Sequence, residues 1–182
     1  MVALIILALL LIIGTIATRT TTTEVQLATS ETRHKDAFYN ADGVSELGSE
    51  LLEQNIACPM GFTANNIRGG LIEVEPASIG FWRNTDDDAT TPSDTNRDFF
   101  LPTGYTAGQP HTNVKIGGNA VFSTGSALQI AAGYEGKGKS IVGGGAYLVY
   151  DQIAQHVGRF NAESIVWVQY RHVIGNEGSC DP

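Results

Sequence analysis

The stretch Met1-Val-Ala-Leu-Ile-Ile-Leu-Ala-Leu-Leu-Leu-Ile-Ile-Gly-Thr-Ile-Ala17 decides the fold. It is apolar except for Gly14 and Thr15. As a helix rising 1.5 Å per residue it reaches roughly 26 Å, the short end of a bilayer span. Thr18-Arg19-Thr20 closes the run with a cation whose stem can lie along apolar surface while its head reaches water.

Outward from this run the composition changes at one place. All 6 prolines follow residue 58, and of the 21 glycines only Gly14, Gly43 and Gly48 precede it. The first part therefore lacks helix breakers and the second is full of turn formers. Between Glu24 and Ile56 the apolar residues Phe38, Ala41, Val44, Leu47, Leu51 and Ile56 recur at helical spacing among Glu, Asp, Lys, Gln and Ser. Thr18 to Thr23 is different: five of its six residues are Thr, a β-branched residue of low helix propensity. The pattern predicts one helix of roughly 55 residues, about 80 Å if straight, weakest between Gly14 and Thr23.

After Cys58-Pro59 the period shortens to that of strands. Leu71 to Glu75 alternates, Ile79 to Arg83 and Asp98 to Leu101 are brief, and Val114 to Ser123 reads as two strands around Gly117-Gly118. In Glu163 to Ile174, the residues Ile165, Trp167, Gln169 and Arg171 oppose Val166, Val168, Tyr170 and His172. Thr85 to Asn96 and Gly133 to Gly145 read as loops. The fold class is α+β: a long N-terminal helix over residues 1–57, apolar over 1–18 and amphipathic over 24–57, then an antiparallel β-rich globular domain over 58–182.

The chain of 182 residues carries 11 Lys+Arg against 19 Asp+Glu, a formal charge of −8. The acidic excess falls equally on the helix and on the domain, so neither offers the clustered cations that nucleic acid rewards. Two cysteines exclude a multi-Cys metal cluster and a disulfide-dense miniprotein. A cleaved secretory signal needs a basic n-region and a small-x-small cleavage site; no Lys or Arg precedes Arg19, and Ile16 spoils the nearest small-residue pattern. A single-pass anchor fits the apolar run but does not account for the helix continuing without a break. A helix that is apolar all round must be buried in lipid or in copies of itself. A subunit that moves from one to the other would use the same residues as anchor and as assembly seam: Met1, Leu4, Ile5, Leu7, Leu10, Leu11, Ile13, Gly14 and Ile16. Open head-to-tail stacking then generates a helical filament.

The apolar block, followed by Thr20-Thr-Thr-Thr-Glu24 and by Ala37-Phe-Tyr-Asn-Ala-Asp-Gly43, resembles the N-terminal region of PilX-type pilins of type IV pilus systems, over roughly residues 1–55. The resemblance implies a subunit made with a basic leader that a prepilin peptidase removes, leaving Met1 first and N-methylated. It implies insertion in the bacterial inner membrane and then assembly with copies of itself, other pilins and the pilus machinery into an extracellular filament, the β-domain facing outward for adhesion. Ile5 stands where most major pilins carry a Glu that pairs with a neighbour's terminal amine, and no Pro occurs near Thr22 where pilin helices are often kinked. Gly14 and the Thr run are the alternative place for the helix to melt on assembly. A membrane-anchored periplasmic binding module and a minor pseudopilin of a type II secretion-like system are the competing readings. In an exported protein Cys58 and Cys180 are expected to pair, tying the last strand to the stalk.

No reaction is legible. Gly133-Tyr-Glu-Gly-Lys-Gly-Lys-Ser140 matches a P-loop letter for letter, and Tyr147 to Asp151 looks like its partner strand. However, Gly143-Gly-Gly145 cannot begin a sturdy helix, and the gap to Asp151 is too short for a crossover to a parallel strand. Asp86-Asp-Asp88 and the oxygens of Asp94, Asn96 and Asp98 are weak calcium candidates. The loop lacks EF-hand spacing, because Phe99 takes the position of the glycine and Tyr105 that of the bidentate Glu. His34, His111, His156 and His172 have no metal-ligand spacing and are read as structural or surface residues. No G-x-S-x-G elbow occurs. Phe38 and Tyr39 are read as packing of the helix on the domain. No enzyme, metal or cofactor is expected.

Overall fold

The structure, a computed structural model, describes residues 2–58, 60–62, 66–76, 79–83, 90–122 and 146–173. One α-helix, α1, runs from Val2 to Ala57. It passes through Gly14 and Thr23 without a break. Among the described residues, six strands follow: β1 (Asn66–Ile67), β2 (Ile72–Val74), β3 (Phe99–Leu101), β4 (His111–Phe122), β5 (Ala146–Val157) and β6 (Glu163–Val173). They form one antiparallel sheet in chain order, so every neighbour in the sheet is also a neighbour in sequence. The long helix followed by an antiparallel sheet is the α+β arrangement that the composition predicts.

α1 lies on β4, β5 and β6 with its C-terminal third. Its buried residues are Ala37, Ala41, Ser45, Gly48, Leu51, Leu52, Asn55 and Ile56. The spacing is helical, but the residues change along it. The first four are small and let the helix settle close to the sheet. Leu51, Leu52 and Ile56 then fill the core with Phe62, Ile72, Val74, Phe81, Phe99, Val114, Ile116, Tyr150 and Ala154. Each fully buried Leu, Ile or Phe contributes roughly 1.5–3 kcal/mol. Phe81 stands at the centre, 5.9 Å from the rings of both Phe62 and Phe99.

Phe38, expected on the apolar stripe, is 44% exposed, and Ala37 takes the buried position instead. Phe38 and Tyr39 make an edge-on pair with each other, centroids 5.8 Å apart, and both are exposed. The stripe turns one residue from the expected line because the helix approaches the sheet through small side chains, and an aromatic ring has no room there.

Two strand expectations are corrected. Ile79 to Arg83 contains a 3-10 turn, Phe81–Arg83, in place of a strand. Its backbone groups are taken by α1: Asn55 Nδ2 donates to the Ile79 carbonyl at 2.8 Å, and the Trp82 N–H donates to Asn55 Oδ1 at 3.1 Å. The Ile79 carbonyl also accepts from the Phe62 N–H. Gly117-Gly118 does not divide a hairpin but lies inside the single strand β4, opposite Asp151 and Tyr150. Gly118 is needed there, since a Cβ would run into the Tyr150 ring.

Tyr147 to Asp151 lies in β5, which pairs antiparallel on both sides, so it cannot be the parallel partner strand of a P-loop. Gly133 to Ser140 itself, Asp86 to Asp88, and Cys180 lie outside the described residues. β6 alternates as expected: Ser164 and His172 are buried towards the helix, whereas Ile165, Trp167, Gln169 and Arg171 are exposed.

Candidate functional site

The functional surface begins where the helix leaves the sheet. Every described residue from Val2 to Asp36 is exposed. Met1 lies outside the described residues, but Leu4, Ile5, Leu7, Leu10, Leu11, Ile13, Gly14 and Ile16 form a continuous apolar surface on α1. The large side chains from Val2 to Ile16 are 52–70% exposed. This is the one helix among the described residues long and apolar enough to cross a membrane. None of its most apolar window, of mean hydropathy 2.5, is buried within the chain.

The Thr run prolongs that surface. Thr18, Thr20, Thr21, Thr22 and Thr23 each donate the hydroxyl to the carbonyl four residues earlier, at 2.8–3.1 Å. With its hydroxyl returned to the helix, a Thr presents mainly its methyl group outward. The polar-looking segment therefore remains compatible with lipid or with a packed helix bundle. Continuous helix and low propensity are reconciled by these side-chain bonds.

Where the helix is packed, polar contacts fix it. The Tyr170 hydroxyl and the His172 Nδ1–H both donate to Glu53, the latter at 2.9 Å. Burial, and then Glu53 itself, push the Tyr170 hydroxyl up to about 12. The Tyr150 hydroxyl donates to the Trp82 carbonyl at 2.8 Å, and the Gln152 amide donates to the Ser45 carbonyl. Arg68 pairs with Glu50 at the exposed edge.

The calcium candidates are engaged elsewhere. Asp94 Oδ1 accepts from Asn113 Nδ2 at 2.9 Å and from His111 Nε2 at 2.8 Å. The hydrogen bond from Asn113, then that from His111, holds its carboxyl below the usual range against the opposing effect of burial. Asn96 donates to Thr90 Oγ1. Asp98, fully buried, accepts from Lys115 Nζ at 3.1 Å and from the Ile116 N–H at 2.7 Å. Arg97 completes this layer, lying 3.5 Å from the Phe100 ring centroid and donating to Glu75, Tyr105 and Asn113. These residues staple the 90–110 segment to the sheet. Among the described residues no group of three His, Cys, Asp or Glu is placed to hold a metal.

His34 is exposed on α1, while His111, His156 and His172 are buried and hydrogen-bonded. Cys58 is buried at the end of α1, and no described cysteine is free. A cavity of about 360 Å³ at the neck, where α1 leaves the domain, gathers Arg33, Asp36, His156, Arg159 and Phe160. Sequence reading missed it: Arg33 and Asp36 fell on a charged helical face, and nothing links them to residues over a hundred positions later.

The site is thus a long helix with a bare apolar half, its other end laid on an antiparallel sheet. In the comparison with known families, residues 1–46 match the PilX N-terminal family. The match spans the apolar run, the Thr run and the first small residues that touch the sheet, and it supports a pilin-like role related to type IV pili. Comparison with curated proteins and with solved structures gives no match.

Proposed function

We propose that this chain is a structural subunit of a type IV pilus-like extracellular filament, assembled through α1 with the sheet domain outward. The observation that supports it best is the bare apolar surface from Val2 to Ile16, continuous with a helix whose buried positions begin only at Ala37. The apolar stretch needs a cover. The bilayer supplies one before assembly, and the same stretch of neighbouring copies supplies it in a fibre. Leu4, Ile5, Leu7, Leu10, Leu11, Ile13, Gly14 and Ile16 form the seam, and Met1 is the residue to be N-methylated. Other pilins and the assembly machinery are its partners, and the cell surface is its destination. The exposed Ile165, Trp167 and Arg171 of β6 are available for adhesion or contacts between subunits. A Cys58–Cys180 bridge would close the domain onto the end of the helix.

The test is expression of the full chain beside a Leu10→Arg variant in cells with a pilus assembly system. An Arg at the centre of a lipid-facing helix costs about 2.5–3.5 kcal/mol, and a core helix bundle has no partner for it. The parent chain is expected in the sheared surface fraction and the variant is not. If both stay in the membrane fraction, the chain is an anchored module and not a filament subunit.

A further inference from the structure

The neck cavity is built like a site. Arg33 and Asp36 reach it from α1, His156 from β5, and Gly158, Arg159 and Phe160 from the β5–β6 turn. The Arg33 guanidinium lies 4.1 Å from the centre of the Phe160 ring. Arg159 makes no side-chain hydrogen bond or ion pair with any described residue. Two cations therefore face one anion, Asp36, and the cavity has room for one more negative charge.

His156 supplies a third group. Its ring is only 6% exposed, and its Nδ1 meets Thr112 Oγ1 at 2.8 Å. Its Nε2 has no hydrogen-bond partner among the described residues and stands beside Gly158, where a Cβ would come within 3.5 Å of it. Burial lowers the affinity of this imidazole for a second proton. In the tautomer where Thr112 donates to Nδ1, Nε2–H is a neutral donor at the cavity wall. The turn that carries Arg159 and Phe160 is strained for the purpose: Phe160 (φ 60) and Asn161 (φ 59) are left-handed without being glycine. The Gly158 N–H to Ala162 carbonyl bond of 2.7 Å holds the turn closed.

Two guanidinium groups and one N–H donor match a carboxylate. Resting on the filament reading above, we propose that the neck cavity binds the Glu24 carboxylate of a second copy between Arg33 and Arg159. Glu24 is the sole acidic residue among the first 30 and makes no side-chain hydrogen bond or ion pair with a described residue. It lies between the methyl-presenting Thr run and the exposed Val25 and Leu27, on the stretch a fibre would cover. A charge covered in this way must be paired. Its own Arg33 is nine residues further along a rigid helix, roughly 14 Å away, so the pairing is made in trans. A copy displaced by about that rise sets its Glu24 level with the neighbour's neck.

The test uses fibres of the full chain carrying Arg159→Lys, which keeps the charge and supplies an amine. Treatment with a zero-length carbodiimide is expected to join the introduced amine to Glu24 of another copy, as read by mass spectrometry, and Glu24→Gln should abolish that product. Glu24→Lys is expected to lower the fibre yield about tenfold or more, and Arg33→Glu with Arg159→Glu in the same chain should restore it. Fibres whose amine links to a different carboxylate or to none, or fibres unaffected by Glu24→Lys, overturn the contact and leave the filament reading standing. A parent chain that forms no fibre overturns both.

Discussion

Gly48 of α1 and Gln152 of β5 stand so close that a Cβ on the glycine would lie 2.6 Å from Gln152 Nε2. Gln152 is fully buried and bonded to the Ser45 carbonyl, so its end has nowhere to move. This contact sets how near the stalk lies to the sheet. Gly48→Ala is expected to cost about 1–3 kcal/mol by overpacking. Gly43 is exposed with nothing near it, and Gly43→Ala is expected to stabilise by roughly 0.5–1 kcal/mol through helix propensity. Urea midpoints of the two variants should move in opposite directions. Shifts of the same sign would contradict the close approach.

Asn55 replaces a strand. Its amide and its oxygen satisfy the Ile79 carbonyl and the Trp82 N–H from a fully buried position. Asn55→Ala leaves the Trp82 N–H without this partner and the Ile79 carbonyl with the Phe62 N–H alone, and is expected to cost about 1–3 kcal/mol in urea unfolding. A loss below about 0.5 kcal/mol, the usual size for an exposed site, would mean that Asn55 does not hold the 79–83 segment.

The stalk was legible in the sequence because hydropathy and the absence of Pro act over dozens of residues. The neck was not, because it joins α1 to a turn more than a hundred residues away. Between these extremes, chemistry local to one position misled: Gly117-Gly118 looks like a turn, but Gly118 exists to admit the Tyr150 ring. Ile79 to Arg83 looks like a strand only until Asn55 is placed beside it. Phe38 looks like core until the small residues Ala37, Ala41, Ser45 and Gly48 are seen to draw the helix down. The PilX-type segment itself, residues 1–46, was readable from its apolar and Thr runs.

His156 sets an acid limit to stability. Burial lowers its folded-state pKa, with Asp36 opposing and His111 adding to the shift. The unfolded chain therefore binds the proton first as pH falls. Stability from this group is full above about pH 6.5, the unfolded value, and is lost as pH drops through the folded one. His156→Gln should flatten the fall in urea midpoint between about pH 6.5 and 5, measured in detergent. An unchanged slope would contradict a buried neutral imidazole.

Cys58, buried beneath the end of α1, is proposed to pair with Cys180. Intact mass is expected to rise by two hydrogens on reduction, and stability to fall by on the order of 3–5 kcal/mol in the chain-entropy picture. An unchanged mass on reduction would leave the last strand without this tie.

The bare apolar helix is the centre of the account, and electron cryomicroscopy of fibres sheared from the surface of producing cells tests it most directly. The predicted reconstruction has Val2 to Ala17 of many copies packed along the axis, with the sheet domains outside. Fibres lacking this chain, or built with its apolar helix away from the subunit contacts, would contradict it.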